Sequence, residues 1–314
     1  MIVRFRPLSW IVLGVVLSGA IAAAQTPSSD QGRALLEKGH FSEAREVFEL
    51  VLSREAGDAA AQAGEVEASE KLALQAAAAG NADEALKTLM HAGDVVPHNA
   101  RLLYDLGVLE DQMRLFHDAD EALSQAEKLN GADPNVLYAV ARVKMDLGQL
   151  GPAEERMQAY LKVRPEDASA HFGLGRIYQI GLQLDKARAE FARSAELKPL
   201  QTEAYYELGD IALKQGDPEG ALAQFEKTLG RDPKHGGALE GSGEANFKLK
   251  HYEDARKFLE RAVEAAPDYS PSHYYLGLTL ARLGQKEESQ RELAKAAELS
   301  EKQNASGSMR LQKP

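Results

Sequence analysis

Residues 168–201 read ASAHFGLGRIYQIGLQLDKARAEFARSAELKPLQ, and residues 202–235 follow with TEAYYELGDIALKQGDPEGALAQFEKTLGRDPKH. Placed one above the other, the two stretches share a Leu-Gly pair, an alanine, a phenylalanine and a proline. The same step of 34 residues, or twice that step, links three wider series: Pro97, Pro165, Pro199, Pro233 and Pro267; Gly107, Gly175, Gly209, Gly243 and Gly277; and Ala85, Ala119, Ala153, Ala187, Ala221 and Ala255. A repeat of this length indicates stacked supersecondary units rather than one closed core.

Numbered from place 1 to place 34, the units begin at residues 66, 100, 134, 168, 202, 236 and 270. Their pattern is a bulky residue at place 4, Leu-Gly at places 7 and 8, Ala at place 20, Phe at place 24 and Pro at place 32. This pattern resembles the tetratricopeptide repeat, over residues 66–303 as seven units and more weakly over residues 25–58. The resemblance implies an all-α fold, a right-handed α-solenoid of stacked antiparallel helix pairs. In each pair, helix A lines a concave face and helix B follows it.

The repeated residue types also have physical reasons of their own. Small residues at places 8 and 20 allow helices A and B to approach closely, so we expect Gly175 to face Ala187. Proline at place 32 cannot continue a helix and therefore ends helix B. Short turns that contain Gly148 and Gly216 are expected to join helix A to helix B.

Two breaks in the period define the predicted domains. Residues 25–58 form a degenerate first repeat, and extra residues follow it before the period resumes. Residues 59–303 form the solenoid of about seven repeats, whose first helix A is longer because residues 59–79 are rich in Ala and Glu and contain no proline. Residues 304–314 are expected to be a short polar tail.

The first 24 residues have the pattern of a secretory signal peptide. Arg4 and Arg6 precede an apolar run, and the small residues Ala22 and Ala24 stand at the −3 and −1 positions of a cleavage site. We expect cleavage after Ala24 and an exported, periplasmic or secreted protein that is not inserted in a membrane. The alternative is an uncleaved membrane anchor, although the run is shorter than the roughly 20 apolar residues that span a bilayer.

Composition and residue spacing exclude several kinds of chemistry. The chain has no cysteine, so thiolate metal sites and thiol nucleophiles are excluded. A net charge of −11 argues against nucleic acid as a partner. The eight histidines do not show a metal-ligand spacing, and His171 and His273 fall at place 4, where packing explains them. The sequence therefore predicts a protein without a cofactor, a metal or an enzymatic activity.

Place 5 of helix A carries a series of aromatic residues that the resemblance directs toward the concave groove. The series is Tyr104, Tyr138, Phe172, Tyr206 and Tyr274, interrupted by Glu240. Aromatic faces suit an extended peptide because they supply contact area at a low entropic cost. The alternative is that this series is a general feature of the family.

Charged residues give the predicted groove a polarity. Arg101, Arg142 and Arg176 belong to its first half, whereas Asp210, Glu240 and Glu244 belong to its second half, together with Glu203. A groove with opposite charges at its two ends would orient a bound segment. Ion pairing between neighbouring units could account for Arg176 with Asp210, but we do not expect it to account for Arg142 or Glu244.

These features predict a non-enzymatic exported scaffold that binds a protein or peptide partner in its groove. The setting expected from the signal peptide is assembly or maintenance of an envelope or secreted complex. The alternative is an accessory subunit of a polysaccharide-export or secretion machine in which the aromatic series contacts glycan.

Overall fold

The computed structural model describes residues 26–311, and between those residues it contains sixteen helices and no strand. The expected signal peptide, residues 1–24, lies outside the described residues. The chain divides into two compact units, with the boundary between Pro97 and His98. None of the described helices is both long enough and apolar enough to cross a membrane.

The first unit contains four described helices: α1 (Ser29–Glu37), α2 (Phe41–Leu52), α3 (Ala59–Ala78) and α4 (Ala82–Val95). The 20-residue helix α3 begins where the Asp58 carboxylate accepts a hydrogen bond from the Ala61 N–H at 2.8 Å. Phe48 of α2 is buried against the backbones of Gly32 and Gly64, so its ring fills the space between α1 and α3.

The second unit consists of six helix pairs. They are α5 (Ala100–Gln112) with α6 (Phe116–Asn130), α7 (Pro134–Asp146) with α8 (Leu150–Val163), α9 (Ala168–Ile180) with α10 (Leu184–Leu197), α11 (Thr202–Lys214) with α12 (Pro218–Leu229), α13 (Gly236–Lys248) with α14 (Tyr252–Ala265), and α15 (Ser270–Arg282) with α16 (Lys286–Leu311). The odd-numbered helices are the A helices, and each begins 34 residues after the one before. Each pair packs against the next pair in sequence, as in an α-solenoid.

The turns between helices A and B have one conformation throughout the second unit. The residue at place 15 always has a positive φ, although it is glycine in only half of the pairs: Arg114, Gly148, Leu182, Gly216, Lys250 and Gly284. Glycine adopts this conformation without steric cost, so Gly148 and Gly216, which the sequence pattern placed in these turns, suit it well. The other three turns reach the same conformation with an ordinary side chain.

The contacts nearest to the glycine at place 8 come from the side chain at place 24 of the same repeat. A Cβ atom added to Gly175 would lie 2.7 Å from Cδ1 of Phe191, and one added to Gly209 would lie 2.5 Å from Cε1 of Phe225. The nearest contact of Gly175 is thus Phe191 of its own repeat, and the expected approach to Ala187 stays a prediction. The buried ring lies directly on the glycine, so the pair forms one packing element.

The end of the chain also differs from the expectation. Helix α16 continues to Leu311, so residues 304–311 extend the last helix rather than forming a separate tail. Within α16, Ser289 is buried at the place that alanine holds in the other pairs.

Candidate peptide-binding surface

The aromatic residues at place 5 recur at equivalent positions on the A helices of the second unit. We use the name A-helix face for the surface that places 2, 5 and 9 of these helices form. Tyr138 packs against Tyr160 with ring centroids 5.2 Å apart, and Phe172 packs against Phe191 at the same distance. Tyr104 is half-buried against the core of its own and the next helix pair. These rings thus hold helix pairs together and expose only part of their surface.

Tyr274 differs from the other members of the series because 48% of its surface is exposed. Its ring contacts Tyr275 edge-on, with centroids 5.4 Å apart. It presents the largest free aromatic surface among the place-5 residues of the second unit that the structure describes.

Arginines on the first half of the A-helix face bind carboxylates of neighbouring A helices. Arg142 on α7 donates a 2.8 Å hydrogen bond to Asp111 on α5, whose side chain is only 7% exposed. Arg176 on α9 lies 3.9 Å from Glu207 on α11. Both arginines remain about half exposed. Arg101, at place 2 of α5, is exposed on the same unit.

The charge pairing therefore differs from the expectation in two ways. Arg176 pairs with Glu207 rather than with Asp210, and Arg142 has a structural partner that the sequence pattern did not reveal. Burial raises the pKa of Asp111, and the positive charge of Arg142 partly opposes that rise. Arg142 accordingly compensates a buried carboxylate, and reversing its charge would disturb folding as well as any binding.

The acidic half of the A-helix face surrounds a cavity of about 260 Å³ between α11 and α13. Its lining comprises Tyr206, Asp210, Leu213, Lys214, Phe225, Gly237, Glu240, Gly241, Glu244 and Lys248. The two glycines allow the rings of Tyr206 and Phe225 to lie against the backbone of α13. A Cβ atom on Gly237 would lie 2.8 Å from Cε2 of Tyr206, and one on Gly241 would collide with the ring of Phe225. We call this cavity the α11–α13 pocket.

Two of the three carboxylates in the α11–α13 pocket have cationic partners on their own helices. Lys214 lies 2.5 Å from Asp210, and Lys248 lies 2.8 Å from Glu244, each one turn further along the helix. Glu240 differs, because its charged neighbours are Glu244 and Asp210, which are both negative. Burial and these two charges raise the pKa of Glu240 to about 7.

Tyrosines border the same carboxylates. Burial raises the pKa of Tyr206, with further contributions from the charges of Asp210 and Glu207. Tyr269, which precedes α15 and is 43% exposed, has its pKa raised by burial and by the charge of Glu240. Tyr275 of α15 forms a hydrogen bond with Glu244, and burial is the largest cause of its raised pKa. The pocket is thus both aromatic and acidic.

The structure brings together only part of the predicted site. Tyr206, Asp210, Glu240 and Glu244 line one cavity, whereas the three arginines and the aromatic residues from 104 to 172 lie along α5, α7 and α9. Sequence reasoning missed Lys214 and Lys248, although their spacing of four residues from an acidic residue was a usable signal. It also missed Tyr269, which precedes α15 and lies outside the helix pattern.

The histidines at place 4 have structural partners. Nδ1 of His171 lies 2.6 Å from Glu190 and its Nε2 lies 3.0 Å from the carbonyl oxygen of Pro165. His273 repeats the arrangement with Glu292 and Pro267. Each ring thus joins its own helix B to the end of the preceding repeat. Among the described residues, no group of three or more potential ligands is arranged to hold a metal ion.

Family comparison identifies repeats in the second unit. Models described as the tetratricopeptide repeat match residues 138–202, 180–234, 206–270 and 270–303. Together these matches span 303 − 137 = 166 of the 314 residues. No curated protein matches the sequence at a significant level.

Several solved structures share the fold. MamA (residue 41 to the end) from Desulfovibrio magneticus RS-1 is 20% identical with a TM-score of 0.51, over 53% of this chain and 94% of that chain. YrrB, described as a TPR protein with an unusual peptide-binding site, is 21% identical with a TM-score of 0.50, over 59% and 95%. PilF of Pseudomonas aeruginosa is 17% identical with a TM-score of 0.57, over 66% and 94%. At these identities the likeness is one of fold.

Proposed function

Because the chain belongs to the tetratricopeptide-repeat family, we propose that it is a non-enzymatic scaffold that binds an extended segment of a protein partner along the A-helix face of its second unit. The observation that carries this proposal is the α11–α13 pocket, a cavity of about 260 Å³ that is lined by rings and carboxylates of the A helices together with Phe225. The peptide-binding site described for YrrB, a protein of the same fold, is consistent with this assignment.

The rest of the A-helix face supports binding of a segment longer than one residue. Arg142 and Arg176 keep about half of their side chains exposed while they pair with Asp111 and Glu207. Their guanidinium groups can therefore bind an additional carboxylate without first leaving a partner. The positive and negative parts of the face lie on successive A helices, so a bound segment would have a preferred direction.

We further propose that the protein acts outside the cytoplasm, in assembly or maintenance of an envelope or secreted complex. The support is the pattern of residues 1–24 in the sequence. N-terminal sequencing of the protein purified from an extracytoplasmic fraction is expected to begin at Gln25. A chain that keeps Met1 and stays with the membrane would instead favour an uncleaved anchor.

Site-specific photocrosslinking in cells tests the proposed binding face. A photoreactive amino acid replaces Arg176 on α9, and in a control strain it replaces Glu253, which is exposed on helix B of another pair. We expect discrete crosslinked proteins from position 176 and none of the same species from position 253.

Equal crosslinking from both positions would contradict the assignment to the A-helix face. Crosslinks that disappear after glycosidase treatment, together with binding on a glycan array, would instead favour the accessory role in a polysaccharide-export or secretion machine. The packing of Tyr138 and Phe172 against internal rings leaves less aromatic surface for stacking on sugar than the sequence suggested.

A further inference from the structure

The walls of the α11–α13 pocket have the chemistry that binds an organic cation. Tyr206 supplies aromatic surface, and the buried Phe225 packs behind it with ring centroids 6.1 Å apart. The backbone of Gly237 and Gly241 lies against these two rings and completes the lining. An ammonium or guanidinium group gains from the negative face of an aromatic ring, and its alkyl stem gains from apolar contact.

The charges of the pocket are unbalanced at one position. Lys214 and Lys248 are already paired with Asp210 and Glu244 at its rim. Glu240 lies between those two pairs and has only negative charges as its nearest charged neighbours. An ionised Glu240 therefore lacks the compensation that a half-buried carboxylate requires.

A cation that entered the pocket would supply the missing charge. It would reach Glu240 beside the aromatic wall, in surroundings where a charge-assisted hydrogen bond is stronger than in water. The size of the cavity, about 260 Å³, suits one extended side chain rather than a folded domain. A metal ion fits less well, because no metal-holding group of carboxylates is present among the described residues.

We propose that the α11–α13 pocket binds one lysine or arginine side chain of the partner segment, with Glu240 as the carboxylate that receives its charge and Tyr206 as its aromatic wall. This inference rests on the proposed function, since it assumes that a segment lies along the A-helix face. It adds a chemical requirement to that function: the partner carries a basic residue where it crosses from α11 to α13.

The raised pKa of Glu240 supports this arrangement and gives it a signature. With a pKa of about 7, the Glu240 carboxyl of the empty pocket is partly protonated at neutral pH. Binding of a cation requires the ionised form, so affinity should increase as the pH rises from 6 to 8. The groups that interact with Glu240 are Asp210, Glu244 and Tyr206 from α11 and α13, and Tyr269 and Tyr275 from the next repeat. Lys214 and Lys248 line the same pocket and are paired with Asp210 and Glu244.

A displayed library of random 12-residue peptides, selected on the full chain, provides the probe. We expect the selected peptides to share one Lys or Arg, and replacement of that residue by Met in a synthetic peptide should weaken binding on the order of tenfold. The same replacement should have little effect on binding to Glu240→Gln, because the two changes remove one contact. Glu253→Gln, an exposed substitution on α14, should behave as the parent protein does.

The pH profile is measured with the same peptides. Affinity for the parent protein should increase from pH 6 to pH 8, and affinity for Glu240→Gln should stay level. Circular dichroism of Glu240→Gln should match the parent, since Gln preserves the shape of the side chain.

The outcomes separate the two proposals. If no peptide is enriched on the parent protein, the proposed binding function of the face fails. If peptides are enriched but tolerate both Lys→Met and Glu240→Gln, the basic-residue pocket is overturned while the binding function stands.

Discussion

At the scale of single residues, the buried Glu65 of α3 is an unusual feature of the first unit. Its side chain has no solvent exposure, and one carboxylate oxygen accepts a 3.1 Å hydrogen bond from the Ser69 hydroxyl. The other oxygen has no hydrogen-bond partner. Arg45 and Glu49 of α2 and His91 of α4 are its charged neighbours. Burial raises the pKa of Glu65 to about 7.

This raised pKa predicts a pH-dependent stability of the first unit. The ordinary pKa of the Glu65 side chain is 4.5, so between pH 4.5 and about 7 the folded state keeps a proton that the unfolded state has lost. The stabilisation that this proton gives to the folded state is fully present below pH 4.5 and is lost as the pH rises through about 7. The total loss in the free energy of unfolding is about 3 kcal/mol at most. Hydrogen exchange of α3 amides should therefore show a lower opening free energy at pH 8 than at pH 5.

The substitution Glu65→Gln should remove most of this difference, because Gln does not ionise. Glu67→Gln is the matched control, since Glu67 is on the same helix but is 41% exposed and pairs with Arg33. An unchanged pH profile in Glu65→Gln would show that another group is responsible.

At the scale of helices, glycine at place 8 and the large residue at place 24 form the contact that sets the A–B distance. The arrangement recurs as Gly175 with Phe191, Gly209 with Phe225 and Gly243 with Leu259. Because the added Cβ would meet a buried ring or branched carbon rather than a flexible chain end, the helices must shift to admit it.

The substitution Gly209→Ala should thus lower the free energy of unfolding by about 1–3 kcal/mol. Gly93→Ala in α4 adds the same methyl group where nothing lies within 4 Å, and it should raise stability by about 0.5–1 kcal/mol. Urea unfolding followed by circular dichroism measures both. Equal effects of the two substitutions would argue against the place 8 to place 24 contact.

At the scale of the whole molecule, contacts in the second unit run within helix pairs and between neighbouring pairs. The stability of such a stack is a sum of contributions from single pairs and from the interfaces between neighbours. Helices α15 and α16 form the last pair, and α14 packs against α15.

Removal of residues 270–314 should therefore leave a folded but less stable protein. Circular dichroism should show that helix content falls only in proportion to the residues removed, with a lower midpoint in thermal unfolding. Loss of all helical signal would mean that the unit folds around one shared core instead. A truncation after residue 303 provides the control, since it keeps the last pair through Gln303.

Local sequence patterns determined the helices of this protein. The 34-residue step predicted the start of every A helix in the second unit, because helix propensity, proline and turn residues act within a few positions of one another. The positive φ at Gly148 and Gly216 follows from the same local chemistry. The place-5 aromatic residues could be assigned to helix A in the same way, whereas the extent to which they pack inward could not.

Only the tertiary structure decided which charges meet and where space remains. Asp111 reaches Arg142, and Glu207 reaches Arg176, because adjacent A helices hold these side chains within a few ångströms although they are about 31 residues apart in sequence. The α11–α13 pocket lies where the rings of Tyr206 and Phe225 pack against the backbone of Gly237 and Gly241. Such distances depend on the angles and distances at which helices cross, and the repeat pattern of the sequence does not specify them for each pair of residues.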